Sequence, residues 1–227
     1  MFFDPLYLIF ALPGLILAGL ASAYTHSTFS KYSHVRARSN MTGAEAARRM
    51  LDSVGLRDVR IERVDGFLSD HYDPMAKTLR LSPGVYDEPS LSAIGVACHE
   101  AGHALQHAEG SISMHIRSQL VPLANIGSFL SYIVIIAGFL FQASSLVYFG
   151  AFLFGATVLF AIVTLPVEWG ASAKAKSYIV RAGIVTQGES AMAGSVLNAA
   201  FLTYVASAVN SLLILIYYLL RARSMDR

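Results

Sequence analysis

The chain has 227 residues, of which 55% are hydrophobic and only 14% charged, and its formal net charge is +2. Ordinary soluble domains carry about a quarter charged residues, so this composition points to a bilayer, and so small a net charge gives no footing for nucleic-acid binding. A single cysteine, Cys98, excludes an intramolecular disulfide and leaves the redox compartment open.

The first uncharged run is "PLYLIFALPGLILAGLASAYTH", residues 5–26. As a helix it is long enough to cross about 30 Å of hydrocarbon. Ala21-Ser22-Ala23 resembles a signal cleavage site, but a signal peptide opens on positive charge and here only Asp4 precedes the run, so a retained span is expected. Residues 31–120 form the one sizeable polar block. Within it "TGAEAARRMLDSVGL" has apolar residues at helical spacing, with Thr42 as N-cap and Gly55 as stop. "VRIERV" (59–64) alternates as a strand does, Asp73-Pro74 and Pro83-Gly84 mark turns, and "KTLRLS" between them reads as a second strand. A helix then runs through "DEPSLSAIGVACHEAGHALQHAEG", with Ser90 as N-cap and Gly110 at its end.

No charge lies between Arg117 and Glu168. That gap suits two spans, about 121–141 and 146–166, turning at Gln142-Ala143-Ser144-Ser145. A fourth span falls near 199–220, between Glu189 and Arg221. The expected organisation is an N-terminal span (1–30), a polar domain (31–120), a membrane hairpin (121–166), a second polar helix (167–198) and a C-terminal span with a basic tail (199–227). Eleven Lys or Arg lie in 31–120 and three more, Lys174, Lys176 and Arg181, in 167–198. They outvote Arg221, Arg223 and Arg227 and place both polar segments in the cytoplasm.

Chemistry concentrates in "GVACHEAGHALQH", where His99, His103 and His107 recur at steps of four. HEAGH (99–103) is the H-E-x-x-H pattern on a predicted helix. Residues four apart rise about 6 Å along a helix, so imidazoles at His99 and His103 can converge on one zinc ion. Glu100 then stands beside the ion, placed to take a proton from water that the metal polarises and to pass it to a leaving amine. His107 sits about 12 Å from His99 along the axis, too far to share a tetrahedral ion, and reads as a polar-face residue. Cys98 points away from His99 and reads as a packing residue. Glu168 is the expected third ligand: it is the first charge after the hairpin, which must return it to the side of HEAGH. Gly170, Ala171, Ser172 and Ala173 around it offer a small-residue surface for close packing against the metal helix, where Gly102 is also small.

Four stretches in the same order, "GFLSDHYDPMAKTLRLSPGVY", "GVACHEAGHALQHA", "VTLPVEWGASAKA" and "LNAAFLTYVASA", resemble the YugP-like neutral zinc metallopeptidases of bacterial membranes. That family is distantly similar to the heat-shock membrane protease and the CAAX prenyl endopeptidases, membrane gluzincins in which a ligand glutamate follows the H-E-x-x-H helix and a membrane hairpin. The resemblance implies His99, His103 and Glu168 as ligands of Zn2+ and Glu100 as catalytic base. It implies a mainly α, multi-pass protein of the bacterial plasma membrane, with about four transmembrane helices and a small α+β zincin-like extramembrane domain. It also implies that "KTLRLS" is a strand near the cleft, placed to pair with an extended peptide. Two departures concern the surroundings of the ligands. Gluzincins of the heat-shock type have an aspartate four residues after the glutamate ligand, where this chain has Ser172, and Ala173 stands where the YugP-like pattern tends to be basic.

The expected function is therefore a zinc metalloendopeptidase acting at the cytoplasmic membrane face on membrane-associated or misfolded proteins. Tyr204, Asn198, Arg181 and His71 are candidates for stabilising the oxyanion. Two alternatives share the ligand set. One is a non-catalytic membrane scaffold or chaperone with structural zinc, against which Glu100 argues because a structural site needs no base. The other is a zinc hydrolase of a non-peptide bond.

Overall fold

The computed structural model describes residues 4–66 and 69–226. Phe67 and Leu68 of the "GFLSD" stretch, and Arg227 of the basic tail, lie outside the described residues. The chain is mainly helical. Its elements, in order, are α1 (Pro5–Ser33), α2 (Gly43–Ser53), β1 (Arg60–Arg63), β2 (His71–Asp73), β3 (Thr78–Leu81), α3 (Pro83–Tyr86), α4 (Leu91–Ala108), α5 (Ile112–Leu140), α6 (Ser144–Arg181) and α7 (Gln187–Met225). Among the described residues, α1, α5, α6 and α7 are long and apolar enough to cross a membrane. All four outrun the expected spans. In particular, the second hairpin span and the stretch carrying Glu168 are one continuous helix, α6, with Pro166 inside it.

Contacts divide the chain into two compact units. The first comprises residues 4–21, 115–166 and 202–226. Its core joins Ile135, Ala151, Phe154, Val158, Tyr217 and Tyr218. Glycines let its helices meet: a Cβ at Gly138 would stand 2.9 Å from the Val147 amide nitrogen, and one at Gly150 would collide with Ile135. Large apolar side chains point outward, with Phe129 71% and Phe152 77% exposed, as lipid-facing positions require. Asp4 fastens the start of α1. It accepts the Leu6 amide at 3.0 Å as a cap, the Tyr217 hydroxyl at 3.0 Å, and the Arg221 guanidinium at 3.3 Å.

The second unit comprises Ser22–Met114 and Val167–Phe201. The capping box expected at Thr42 forms: its hydroxyl accepts the Glu45 amide at 3.2 Å, and the Glu45 carboxylate accepts the Thr42 amide at 2.9 Å. Gly55, at φ +80°, ends that helix as expected. The strands form one sheet ordered β1-β3-β2, with β3 parallel to β1 and antiparallel to β2. This corrects the expectation that "KTLRLS" pairs with a substrate. β3 is the central strand, so its main-chain groups are taken on both sides, and the edges are β1 and β2. "HYD" gave no sequence signal because three residues before a proline show no alternation. Its turn is built by Asp73, whose Oδ1 accepts the amides of Met75 (2.9 Å) and Ala76 (3.0 Å). Leu79 and Leu81 of β3, Met50 and Leu51 of α2, Ile94 and Cys98 of α4, and Ile179 of α6 are fully buried in the core that carries α4.

Candidate metal centre

α4 begins where expected, with the Ser90 hydroxyl accepting the Ala93 amide at 3.2 Å, and stops just before Gly110 at φ +67°. Its rigid turns set His99 and His103 side by side, ring centroids 4.8 Å apart and 84° between planes. α6 packs against this face through small residues. An ideal Cβ on Gly102 would lie 2.6 Å from the Ala171 carbonyl oxygen, and one on Gly170 would lie 2.7 Å from Gln106 Nε2. That close approach delivers Glu168, which is only 1% exposed.

Glu168 Oε2 lies 3.1 Å from His99 Nε2 and 3.5 Å from His103 Nε2. One ligand atom from each of the three residues lies within 4.8 Å of the other two. A tetrahedral ion with zinc-to-nitrogen and zinc-to-oxygen bonds of about 2.0–2.1 Å separates its ligand atoms by about 3.4 Å. The observed separations fit that requirement, as does the donor chemistry: two neutral imidazoles and one carboxylate. The remote ring nitrogens are also engaged. His99 Nδ1 lies 3.1 Å from Ser172 Oγ, and His103 Nδ1 lies 3.0 Å from Gln106 Oε1. Gln106 is anchored in turn, its Nε2 donating to the Val167 carbonyl at 2.8 Å. With the ring protons on Nδ1, both Nε2 lone pairs face Glu168, the tautomers a metal needs. Ser172, which departs from the aspartate of related peptidases, thus occupies the position of the imidazole-orienting group.

Glu100 is buried beside this trio, and its Oε2 accepts the Tyr72 main-chain amide at 3.0 Å. Burial raises its carboxyl above the ordinary range. Asp70, also raised by burial, holds the chain leading into β2: its Oδ1 accepts the Ser82 amide at 2.7 Å and the Ser82 hydroxyl at 3.0 Å. His107 is exposed and bonds Tyr72, with its Nδ1 2.9 Å from the phenolic oxygen. Cys98 is wholly buried in the core and burial pushes its thiol up to about 12. Of the oxyanion candidates, His71 bonds the Ser69 carbonyl, Asn198 accepts Lys176 Nζ at 2.6 Å, Arg181 stacks on Tyr178, and Tyr204 belongs to the first unit.

Sequence reasoning missed two residues of this arrangement. Gln106 follows His103 by three, a spacing that places both on one helix face, and that signal was available. Tyr72 reaches Glu100 across 28 positions, and nothing local announces it.

Among known proteins, the chain is similar to "Putative membrane protease YugP" of Bacillus subtilis (strain 168), with 43% identity over 215 residues that cover 95% of this chain and 96% of the relative. No solved structure matches it. Residues 7–223 match the family described as "Putative neutral zinc metallopeptidase", and the chain belongs to that family.

Proposed function

We propose that this protein is a membrane-integrated zinc metalloendopeptidase of gluzincin type, with His99, His103 and Glu168 as the zinc ligands and Glu100 as general base. The observation that carries the reading is the convergence of two Nε2 atoms and one carboxylate oxygen at ligand spacing, with a second buried carboxylate next to the first histidine. When bound, zinc supplies a Lewis acid that acidifies water and polarises a peptide carbonyl. The protein's own groups do the rest. Glu168 and the two imidazoles hold a net single negative charge, half of what the cation brings, so the centre stays electrophilic. Glu100 takes the proton of the attacking water and delivers it to the amine that leaves. Its raised proton affinity suits both halves of that transfer, and the Tyr72 amide fixes which oxygen is free to act.

Residues 31–120 and 167–198 together form the zincin-like catalytic domain, in which a short mixed sheet accompanies the H-E-x-x-H helix. The edge strand β2 gives an extended peptide somewhere to pair. Glu168 sits two residues past Pro166 on a helix whose preceding part is a span, so the substrates are proteins in or on the bilayer, or misfolded at its surface. The excess of Lys and Arg in residues 31–120 and 167–198 supports a site on the cytoplasmic face of the plasma membrane.

Purified protein is expected to carry about one zinc per chain and to hydrolyse a labelled unfolded protein such as casein until chelated. Glu100→Gln keeps the zinc and lowers turnover by at least about 10²–10⁴-fold, the usual share of a general base. Glu168→Ala lowers zinc occupancy, whereas His107→Ala leaves it unchanged. Undiminished hydrolysis by Glu100→Gln, or loss of zinc from His107→Ala but not from Glu168→Ala, would overturn the assignment.

A further inference from the structure

A single residue of β2 is tied to α4 at two points. The Tyr72 main-chain amide donates to Glu100 Oε2 at 3.0 Å, and the Tyr72 phenolic oxygen lies 2.9 Å from His107 Nδ1. Glu100 and His107 are about two turns apart on α4, roughly 10 Å, and Tyr72 bridges them, its ring tilted 55° to the imidazole at 5.8 Å. Burial first, then the charges of Asp58 and Asp73, push the Tyr72 hydroxyl up to about 12, so it stays protonated through the neutral range and keeps its hydrogen bond with His107 Nδ1.

β2 needs such a tie. It is three residues long, and among the described residues it pairs on one side only, with β3. Short edge strands with so few ladder bonds open at low cost. If β2 swings away from α4, Glu100 loses the hydrogen bond from the Tyr72 amide, and its carboxylate is freer to rotate. The bond at the other end is accessible: Tyr72 and His107 wall a cleft of about 190 Å³ together with Leu56, Val59 and Ala104. Removing either partner therefore exposes the other to water and does not strand a buried polar group.

We propose that Tyr72 and His107 form a latch that holds β2 on the metal helix and thereby sets the position of Glu100. Both are positioning residues: Tyr72 reaches Glu100 through its main-chain amide, and His107 acts through Tyr72. The inference rests on the reading of Glu100 as general base, and its test separates the two. Zinc-loaded, full-length protein in detergent micelles is compared by amide hydrogen exchange and by steady-state hydrolysis of labelled casein, in wild type, His107→Ala, Tyr72→Phe, the double variant and His107→Gln. Loss of one hydrogen bond of ordinary strength is expected to speed exchange of the Tyr72 amide and to lower kcat by about five- to tenfold in each single variant. KM and zinc content should stay close to wild type. The double variant should be no worse than either single one, because the pair acts as a unit. His107→Gln, which retains an acceptor, should restore both readouts. Wild-type exchange at Tyr72 in both single variants, or additive kcat losses in the double, would overturn the latch. The exchange arm uses no substrate, so a wild type that hydrolyses nothing would sink the peptidase reading alone and leave the latch to be judged by exchange.

Discussion

A histidine can ligate through Nε2 only when its proton sits on Nδ1, and that proton needs an acceptor. In the proposed zinc site that acceptor for His99 is Ser172 Oγ, 3.1 Å from Nδ1. A hydroxyl is a weaker acceptor than a carboxylate, so it raises the basicity of His99 less than an aspartate would. Ser172→Ala removes the partner with little change in volume at a buried position. The expected outcome is a fall of about 10–100-fold in zinc affinity, measured by chelator competition, with the thermal transition of the metal-free protein nearly unmoved. Unchanged affinity would mean that Ser172 does not orient the ring. At this scale the sequence was informative wherever one helix carries the geometry. Steps of four place His99 and His103 together and put His107 out of reach, and the same spacing logic would have found Gln106. It was uninformative for Tyr72, because a main-chain amide has no residue type and its partner is remote in the chain.

Helix against helix, the centre depends on how closely α4 and α6 approach. The obstacle facing a side chain at Gly102 is backbone: an ideal Cβ lies 2.6 Å from the Ala171 oxygen and 3.1 Å from its carbonyl carbon. Backbone cannot rotate away, so Gly102→Ala must push the two helices apart and carry Glu168 away from His103. Overpacking of this kind costs about 1–3 kcal/mol. The variant should show a lower melting temperature in detergent together with lost zinc stoichiometry. Gly155→Ala, on α6 with nothing within 4 Å of its Cβ, should show neither. Equal behaviour of the two variants would remove the packing argument. The small residues around Glu168 and Gly102 announced this contact in the sequence, as the Thr42 and Ser90 caps announced their helices. Less legible was the continuity of α6. Pro166 reads as a helix boundary because it lacks an amide donor, yet a proline inside a span is tolerated where neighbouring groups satisfy the freed carbonyl. β2 escaped notice for a different reason: its pairing with β3 is long-range information, and three residues cannot display a period.

Across the whole molecule, charge placement is the signal from which sidedness is proposed. The three long gaps between charges were enough to find all four apolar helices, because a bilayer demands length and the absence of charge and little else. Sidedness is a weaker signal, since Arg221 and Arg223 follow the last span and oppose the majority. The single cysteine makes a direct measurement possible. Cys98 is fully buried and burial pushes its thiol up to about 12, so neither access nor a thiolate is available to a maleimide in the folded protein. The wild type therefore supplies a silent background. A cysteine at the exposed Arg57, in the polar block, and one at Ser144, which starts α6 at the hairpin turn, then report opposite faces. With the basic segments inside, a membrane-impermeant maleimide applied to intact cells should label Ser144→Cys and spare Arg57→Cys until the membrane is permeabilised. The reverse pattern would place the polar block outside, and the candidate metal centre with it, and would overturn the proposed cytoplasmic site.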